Sequence, residues 1–230
     1  MNLDQQHYPL TNISLSAWQL TTKPNNILIV QASTIEEEEP DGWQIWPIGM
    51  SWQFIHNYTK GDSLQLGSHN NLVLCAVRMH TDQTRRSSGI NRKIIVQTLS
   101  NNGIHNISID HSLYYSTLPS YKFVISPEGN GIDCHRHYEA LLAGCIPIME
   151  RNTLTEEKYK GCPILWTEDY SEITPDYLER MYKEMLDKIY DFSCLFLSYY
   201  TSEQQKEIKR CGNYWLNRVT HTVWYKDIGI

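Results

Sequence analysis

Apolar runs and helically spaced apolar positions alternate along the middle of the chain. The two helically spaced segments, 90–103 and 134–144, end at Gly103 and Gly144, which favours helix termination there. Strands that alternate with helices predict βαβ units, a parallel sheet and right-handed crossovers. The predicted strands are residues 26–33, 71–79, 105–109, 121–126, 145–149 and 162–166, and residues 43–52 form one more short apolar segment.

The C-terminal third is predicted to be helical. Thr174 is a favourable N-cap residue, and Pro175 fits the first helical position. An apolar stripe at i, i+3, i+4 and i+7 spacing predicts that this helix packs against the core. The stripe consists of Leu178, Met181, Tyr182, Met185, Leu186 and Ile189. A further helix is predicted over residues 202–219.

Composition narrows the class of protein. The chain has 230 residues, of which 41% are hydrophobic and 20% charged, which is typical of one large globular domain or two small ones. A net charge of −6 argues against general binding to nucleic acid or to an anionic membrane. No apolar run approaches the ~20 residues of a membrane span. The N-terminus does not resemble a signal peptide, and we expect a cytoplasmic protein.

Two further features have simple interpretations. Six cysteines without CxxC spacing predict free thiols. The acidic run at 36–39 is interpreted as a solvated loop, and a role in binding metal or substrate is the alternative.

The stretch 126–139 carries the candidate chemistry, because it follows a predicted strand and ligands bind at the carboxyl ends of parallel strands. Gly129 and Gly131 can adopt positive φ and let a ligand approach the backbone, and Asp133 is expected to cap the next helix. The helix N-terminus favours an anion such as phosphate, to which Arg136 adds a charged contact.

Glu139 lies three residues after Arg136, so both project from one helix face. A carboxylate there accepts hydrogen bonds from a ribose diol, and the pair is therefore interpreted as a reader of a nucleoside diphosphate. The alternative is a surface ion pair without function. Cys134, His135 and His137 suggest two further alternatives, a zinc site and a cysteine nucleophile, but adjacent residues point in different directions.

The segment SPEGNGIDCHRHYEALLAGCIPIM (126–149) resembles the nucleotide-sugar-binding signature of exostosin-like glycosyltransferases, including the compact versions of large DNA viruses and microbes. Residues 46–50 (WPIGM) are similar to the segment that ends the N-terminal domain of those enzymes. Residues 72–99 resemble the first strand, loop and helix of their donor domain. The positions that match the signature are Ser126, Pro127, Gly129, Arg136, Glu139, Ala140, Leu141, Gly144, Cys145, Ile146 and Pro147.

The resemblance implies an α/β fold of GT-B type, with a Rossmann-like parallel sheet, flanking helices and a reduced N-terminal domain. Residues 1–65 would form the acceptor side and 66–230 the donor domain. The implied reaction is metal-independent transfer of a hexosyl or pentosyl group from a nucleotide-sugar, expected to be a UDP-sugar, to a glycan hydroxyl, with inversion. No cofactor is expected.

By position, the resemblance assigns Arg136 to the diphosphate and Glu139 to the ribose. One of Arg85, Arg86 and Arg92, in or just after the loop of the first donor-domain unit, is a further candidate for the diphosphate; for at least two of them the alternative is simple solvation at the surface. The other candidate donor-site residues are Glu128, Gly129, Asn130, Gly131, Asp133 and His135.

The sequence does not identify the catalytic base, because the usual base of this family lies in the N-terminal domain, which is reduced here. A carboxylate or His must take the acceptor proton, and the candidates are Asp82, His80 and Asp41. Alternatives to the enzyme are a module that binds nucleotide without catalysis, and a subunit that completes another transferase. A partner chain or a homo-oligomer is compatible with either.

Overall fold

The computed structural model of the chain describes residues 13–14, 49, 51, 69–81, 88–223 and 225–228. The predicted strand 26–33, the acidic run 36–39 and the segment 43–52 apart from residues 49 and 51 lie outside this part. The same holds for most of the predicted acceptor side, 1–65, so the proposed division into two domains stays a prediction.

The described core is a four-stranded parallel sheet, which confirms the α/β class. Its strands are β2 (Asn71–Leu74), β3 (Tyr121–Ile125), β4 (Ile146–Glu150) and β5 (Leu165–Thr167), after a short β1 (Ile13–Ser14). The order is β2-β3-β4-β5, so neighbouring strands follow one another along the chain. β1 pairs antiparallel with β6 (Ile189–Tyr190). The carboxyl ends of all four parallel strands therefore lie at one edge of the sheet.

Six α-helices accompany the described strands. They are α1 (Arg92–Asn101), α2 (His111–Thr117), α3 (His135–Leu142), α4 (Thr153–Lys158), α5 (Pro175–Leu186) and α6 (Ser202–Thr220). Short 3-10 turns lie at Leu118–Ser120, Tyr170–Glu172, Ser193–Leu195 and Leu197–Tyr199. None of the helices in the described ranges is both long enough and apolar enough to cross a bilayer.

The helix boundaries follow from local chemistry. The Asn91 side chain caps α1 by accepting from Lys93 N at 3.0 Å and Ile94 N at 3.2 Å. Gly103 and Gly144 follow α1 and α3 with φ of 81° and 78°, which confirms both predicted helix ends. Thr174 accepts from Tyr177 N at 3.3 Å, which confirms the predicted cap of α5.

The apolar stripe of α5 packs as predicted over most of its length. Leu178 and Met185 are buried, and the rings of Tyr182 and Phe123 on β3 meet edge to face, with centroids 5.9 Å apart. Ile189 is 65% exposed, so its assignment to the core was wrong. The reason is that α5 ends at Leu186 and Ile189 belongs to β6, which follows a different path.

Two predicted strands differ from the structure. β2 ends at Leu74 rather than at residue 79, and residues 105–109 form no strand. The Asn106 side chain explains both differences. It accepts from Val77 N at 2.7 Å and donates to Val77 O at 3.0 Å. A single amide side chain thus takes the backbone bonds that a longer strand would have made.

Five of the six cysteines hold free thiols, as predicted: Cys75, Cys134, Cys145, Cys162 and Cys194. Cys162 and Cys194 lie in contact, with their sulfur atoms 3.4 Å apart.

Two glycines provide a matched test of the backbone. Gly161 has φ +94°, and a Cβ there would stand 2.9 Å from Asp191 Cβ, whereas Gly103 has φ +81° with nothing within 4 Å. We expect Gly103→Ala to cost about 1 kcal/mol of backbone strain and Gly161→Ala about 2–4 kcal/mol, because a steric clash is added. Urea unfolding measures both, and equal costs would contradict the packing of Gly161 against Asp191.

Candidate functional site

The loop 126–134 connects β3 to α3 at the carboxyl edge of the sheet. Nearly all of it is buried, and Asn130 is its exposed residue. Loops usually run over the surface, where water satisfies their polar groups. This loop must instead find protein partners for its backbone and side chains. Three sets of contacts supply them.

The first set is made by Arg92, the first residue of α1. Its Nε donates to Glu128 O at 2.7 Å and its Nη2 to Pro127 O at 3.0 Å. Its Nη1 donates to Thr81 Oγ1 at 2.8 Å, and the residue is only 8% exposed. The guanidinium predicted to reach a diphosphate is therefore directed at the backbone of the loop.

Neither Gly129 nor Gly131 uses the positive φ that glycine allows. Gly129 has a different reason to be glycine. A Cβ at this position would stand 2.9 Å from Nη2 of Arg92 and 3.1 Å from Sγ of Cys134. The missing side chain makes room for the buried arginine.

The second set centres on Asp133. It was predicted to cap α3, but the N-cap residue is Cys134, which makes no side-chain cap bond. Asp133 is instead buried in an ion pair with Lys158, the last residue of α4. It also accepts from Tyr159 Oη at 2.6 Å and Tyr138 Oη at 3.3 Å. A fully buried carboxylate needs such partners, because they stabilise its charge more than a helix cap would.

The third set joins Ser126 to His137, and both side chains are fully buried. Ser126 Oγ lies 2.8 Å from His137 Nδ1, and His137 Nε2 lies 3.4 Å from Ile132 O. A carbonyl only accepts, so Nε2 carries the proton and Nδ1 accepts from the serine hydroxyl. Burial lowers the pKa of His137 from 6.5 to about 4. This histidine is therefore neutral at physiological pH.

Two acidic residues lie close together here, Glu128 in the loop itself and Glu150 on the neighbouring strand β4. Glu128 is 8% exposed, and its backbone N–H donates to Oε2 of Glu150 at 3.1 Å. Glu150 ends β4 and also accepts from Tyr170 Oη at 3.2 Å. Glu150 helps to fix the loop, although nothing in its spacing singled it out.

Arg136 lies in the first turn of α3. Its Nε donates to Tyr114 Oη at 3.2 Å and its Nη2 to Ala76 O at 2.9 Å. Its Nη1 is buried and makes no hydrogen bond to any described residue. Arg136 and Glu139 are not joined by an ion pair within the described part of the chain. The alternative of a simple surface ion pair is therefore excluded.

Glu139 is 5% exposed and accepts from Ser51 Oγ at 2.7 Å through Oε1. Ser51 Oγ also lies 2.8 Å from Tyr115 Oη. Since the serine proton goes to the carboxylate, the tyrosine is the donor in the second bond. One turn earlier on α3, Nδ1 of His135 lies 2.8 Å from Gly49 O. Residues 49 and 51 thus both contact the helix that carries Arg136 and Glu139.

The remaining candidates are not brought together. His80 is exposed beyond the end of β2, and Asp82, Asp41, Arg85 and Arg86 lie outside the described residues. The three residues that suggested zinc have separate partners: Cys134 Sγ near Pro127 O at 3.8 Å, His135 at Gly49 and His137 at Ser126. Within the described ranges no group of three or more His, Cys, Asp or Glu side chains is placed to hold a metal.

The cysteine-nucleophile alternative also loses support. Burial raises the pKa of Cys134 to about 12, so the thiol stays protonated at neutral pH. A protonated thiol is a poor nucleophile.

Sequence reasoning missed Tyr114, Glu150 and Lys158. Tyr114 and Lys158 lie on helices α2 and α4, which the apolar pattern did not reveal because both are short. Glu150 directly follows the apolar run of β4, and that position at a strand end was the one available signal.

The sequence was also compared with known proteins. No protein-family model matches the chain, and the search of curated proteins gives no match either.

Lys158 provides a test of the ion pair that anchors the loop. Lys158→Met leaves the fully buried Asp133 without its cation, and we expect a loss of about 3–5 kcal/mol in the free energy of unfolding. The exposed Lys160 two residues later is the matched control, and Lys160→Met should change stability by less than about 0.5 kcal/mol. Urea denaturation measures both, and similar values would show that the pair does not support the fold.

His137 predicts a pH dependence of stability. Its pKa is about 4 in the folded protein and 6.5 without burial. Above pH 6.5 it is neutral in both states, and between pH 6.5 and 4 only the unfolded chain takes up the proton. Stability therefore falls as pH falls through this window, by about 3 kcal/mol from this residue.

The measurement is the urea midpoint of wild type and His137→Gln at several pH values from 7 to 4. Glutamine keeps a neutral hydrogen-bonding group but does not titrate. We expect the variant to lose less stability on acidification. His69, whose pKa burial also lowers to about 4, remains in both proteins, so the difference isolates His137. Parallel curves would contradict the buried neutral state of His137.

Proposed function

We propose that this chain is an exostosin-like glycosyltransferase that transfers a sugar from a nucleotide-sugar, of the UDP class, to a glycan hydroxyl. The observation that carries the proposal is Nη1 of Arg136, a buried cationic donor with no acceptor among the described residues. Buried donors are nearly always satisfied, so such an atom at a ligand-binding edge suggests a ligand acceptor. The resemblance of residues 126–149 supplies the ligand class.

The diphosphate would bind between Nη1 of Arg136 and the first turn of α3. Helix N-termini attract anions through their dipole and their unpaired N–H groups. Tyr114 Oη and Ala76 O hold the other two guanidinium nitrogens. The remaining nitrogen is therefore held in one direction before the ligand arrives, which lowers the cost of ordering on binding.

The ribose would bind to the carboxylate of Glu139. Its Oε1 already accepts the Ser51 hydroxyl, so Oε2 is the oxygen offered to a ribose hydroxyl. A carboxylate accepts several hydrogen bonds and repels phosphate. Glu139 would therefore favour the ribose end of the ligand and leave the diphosphate end to Arg136. A cation and a carboxylate one turn apart thus suit a nucleoside diphosphate better than a free phosphate.

Catalysis would rest on stabilising the leaving group. Negative charge develops on the diphosphate as the glycosidic bond breaks, and a fixed guanidinium at that point lowers the barrier. This role needs no metal. The sugar would lie toward Glu128 and the loop 126–134. The acceptor proton would go to a base outside these contacts, for which Asp82, His80 and Asp41 remain the candidates.

The GT-B architecture is part of the proposal. The parallel sheet would be the donor domain, and residues 1–65 would form the reduced acceptor side. The contacts of Gly49 and Ser51 with α3 support this arrangement, because they bring the segment that precedes the donor domain to the donor helix.

The test is thermal unfolding with a nucleotide panel: UDP, GDP, CMP, and UDP- and GDP-sugars, each with and without divalent metal. A ligand at ~100 times its dissociation constant adds about 2.7 kcal/mol of stability. We expect a shift with uridine nucleotides that does not depend on metal and is lost in Arg136→Ala. Sugar transfer by Arg136→Ala should fall by about 10²–10³-fold.

Arg180→Ala is the control, because this arginine is exposed on α5 and carries the same charge. It should retain the full shift and full transfer. Full activity in Arg136→Ala would refute the placement of the diphosphate. Binding without turnover would favour the non-catalytic module, and no shift with any nucleotide would refute the proposed function.

A further inference from the structure

We propose that Arg92 is a positioning residue, which holds the loop 126–134 in the shape that the donor requires and does not bind the donor itself. The inference rests on the proposed function for its link to the donor. The hold on the loop is a property of the unliganded protein and is tested separately.

The contacts of Arg92 point toward the protein. Each of its three nitrogens donates to a protein acceptor: Glu128 O at 2.7 Å, Pro127 O at 3.0 Å and Thr81 Oγ1 at 2.8 Å. Arg136 differs, since its Nη1 has no acceptor among the described residues. Two arginines near one loop therefore have different roles. Arg92 donates to backbone carbonyl groups of the loop, and Arg136 keeps Nη1 as a donor for a ligand.

The peptide groups of residues 127–129 are held from both sides. Arg92 takes the carbonyl groups of Pro127 and Glu128. The N–H of Glu128 donates to Glu150, and the N–H of Gly129 donates to Gly131 O at 2.9 Å. Without Arg92 two buried carbonyl oxygens lose charged donors, which is costly enough to turn the peptides or admit water. The orientation of this part of the loop therefore depends on Arg92.

The hold also reaches neighbouring elements. Thr81 belongs to the segment that follows β2, so Arg92 connects this segment to the loop that follows β3. Its Nη2 also lies 3.9 Å from Sγ of Cys134, the N-cap residue of α3. Arg136 follows two residues later. A change in Arg92 is thus transmitted to the first turn of the helix that carries the anion site.

Gly129 makes the contact testable. A Cβ at residue 129 would stand 2.9 Å from Nη2 of Arg92, so Gly129→Ala displaces the guanidinium without removing its charge. If Arg92 acts through the loop, the two substitutions damage the same contact. Their effects should then not add, as expected for residues in direct contact.

The experiment uses the full chain as wild type, Arg92→Ala, Gly129→Ala and the double variant. Amide hydrogen exchange of residues 126–134 is measured without ligand, and UDP affinity is measured by calorimetry. We expect Arg92→Ala to speed loop exchange and to weaken UDP binding, each by about 10-fold or more. Gly129→Ala should do the same, and the double variant should be little worse than Arg92→Ala.

Lys93→Ala is the matched control. Lys93 is exposed on the same helix and carries the same charge, so its removal changes the long-range field without touching the loop. It should leave exchange and affinity unchanged. Gly129→Ala retains Arg92, so the comparison with wild type also holds if Arg92→Ala folds poorly.

The outcomes are distinct. Weaker UDP binding with unchanged loop exchange would make Arg92 a direct ligand contact and overturn the inference. Independent, multiplying losses in the double variant would overturn it as well. Unchanged exchange in Arg92→Ala refutes the hold on the loop whatever the ligand. If wild type binds no UDP, the proposed function fails along with the link to the donor, while exchange still decides whether Arg92 holds the loop.

Discussion

A buried loop has to satisfy its polar groups without bulk water, and this constraint determines the structure around residues 126–134. The loop is fixed at three points, by Arg92, by the Asp133–Lys158 pair and by Ser126–His137. The partners come from α1, α4 and α3. The loop is therefore the place where these three helices are joined by hydrogen bonds and an ion pair.

Side chains held in this way would suit the charged ligand of the proposed function. A cation that is already held by Tyr114 Oη and Ala76 O gives up little side-chain freedom when an anion arrives. The acidic residues nearby have different protein partners. Asp133 is paired with Lys158, and Glu150 accepts from the loop and from Tyr170. The ion pair with Lys158 offsets the charge of Asp133, so this carboxylate does little to weaken the positive charge of Arg136.

The sequence predicted the periodic features well. The parallel strands at 71–74, 121–125, 146–150 and 165–167 and the glycine ends of α1 and α3 follow from apolar runs and turn residues. Features that depend on a single side chain were not accessible. Asn106 takes the backbone of Val77 and removes two predicted strand segments. Asp133 meets Lys158, 25 residues away, instead of capping the helix beside it. Long-range pairing of polar groups has no period, so spacing cannot reveal it.

The candidate site likewise has features that the sequence could predict and features that it could not. Arg136 and Glu139 were identified because their spacing on one helix face and the signature around them are local features. The difference between Arg92 and Arg136 is not local, since both are arginines in the first turn of a helix near the same edge. The two arginines differ in the acceptors that their guanidinium N–H groups find. The carbonyl groups of residues 127 and 128 accept the hydrogen bonds of Arg92, while one nitrogen of Arg136 has no acceptor in the described part of the chain. Under the proposed function, hydrogen-bond accounting rather than residue type therefore distinguishes a residue that shapes the site from one that contacts its ligand.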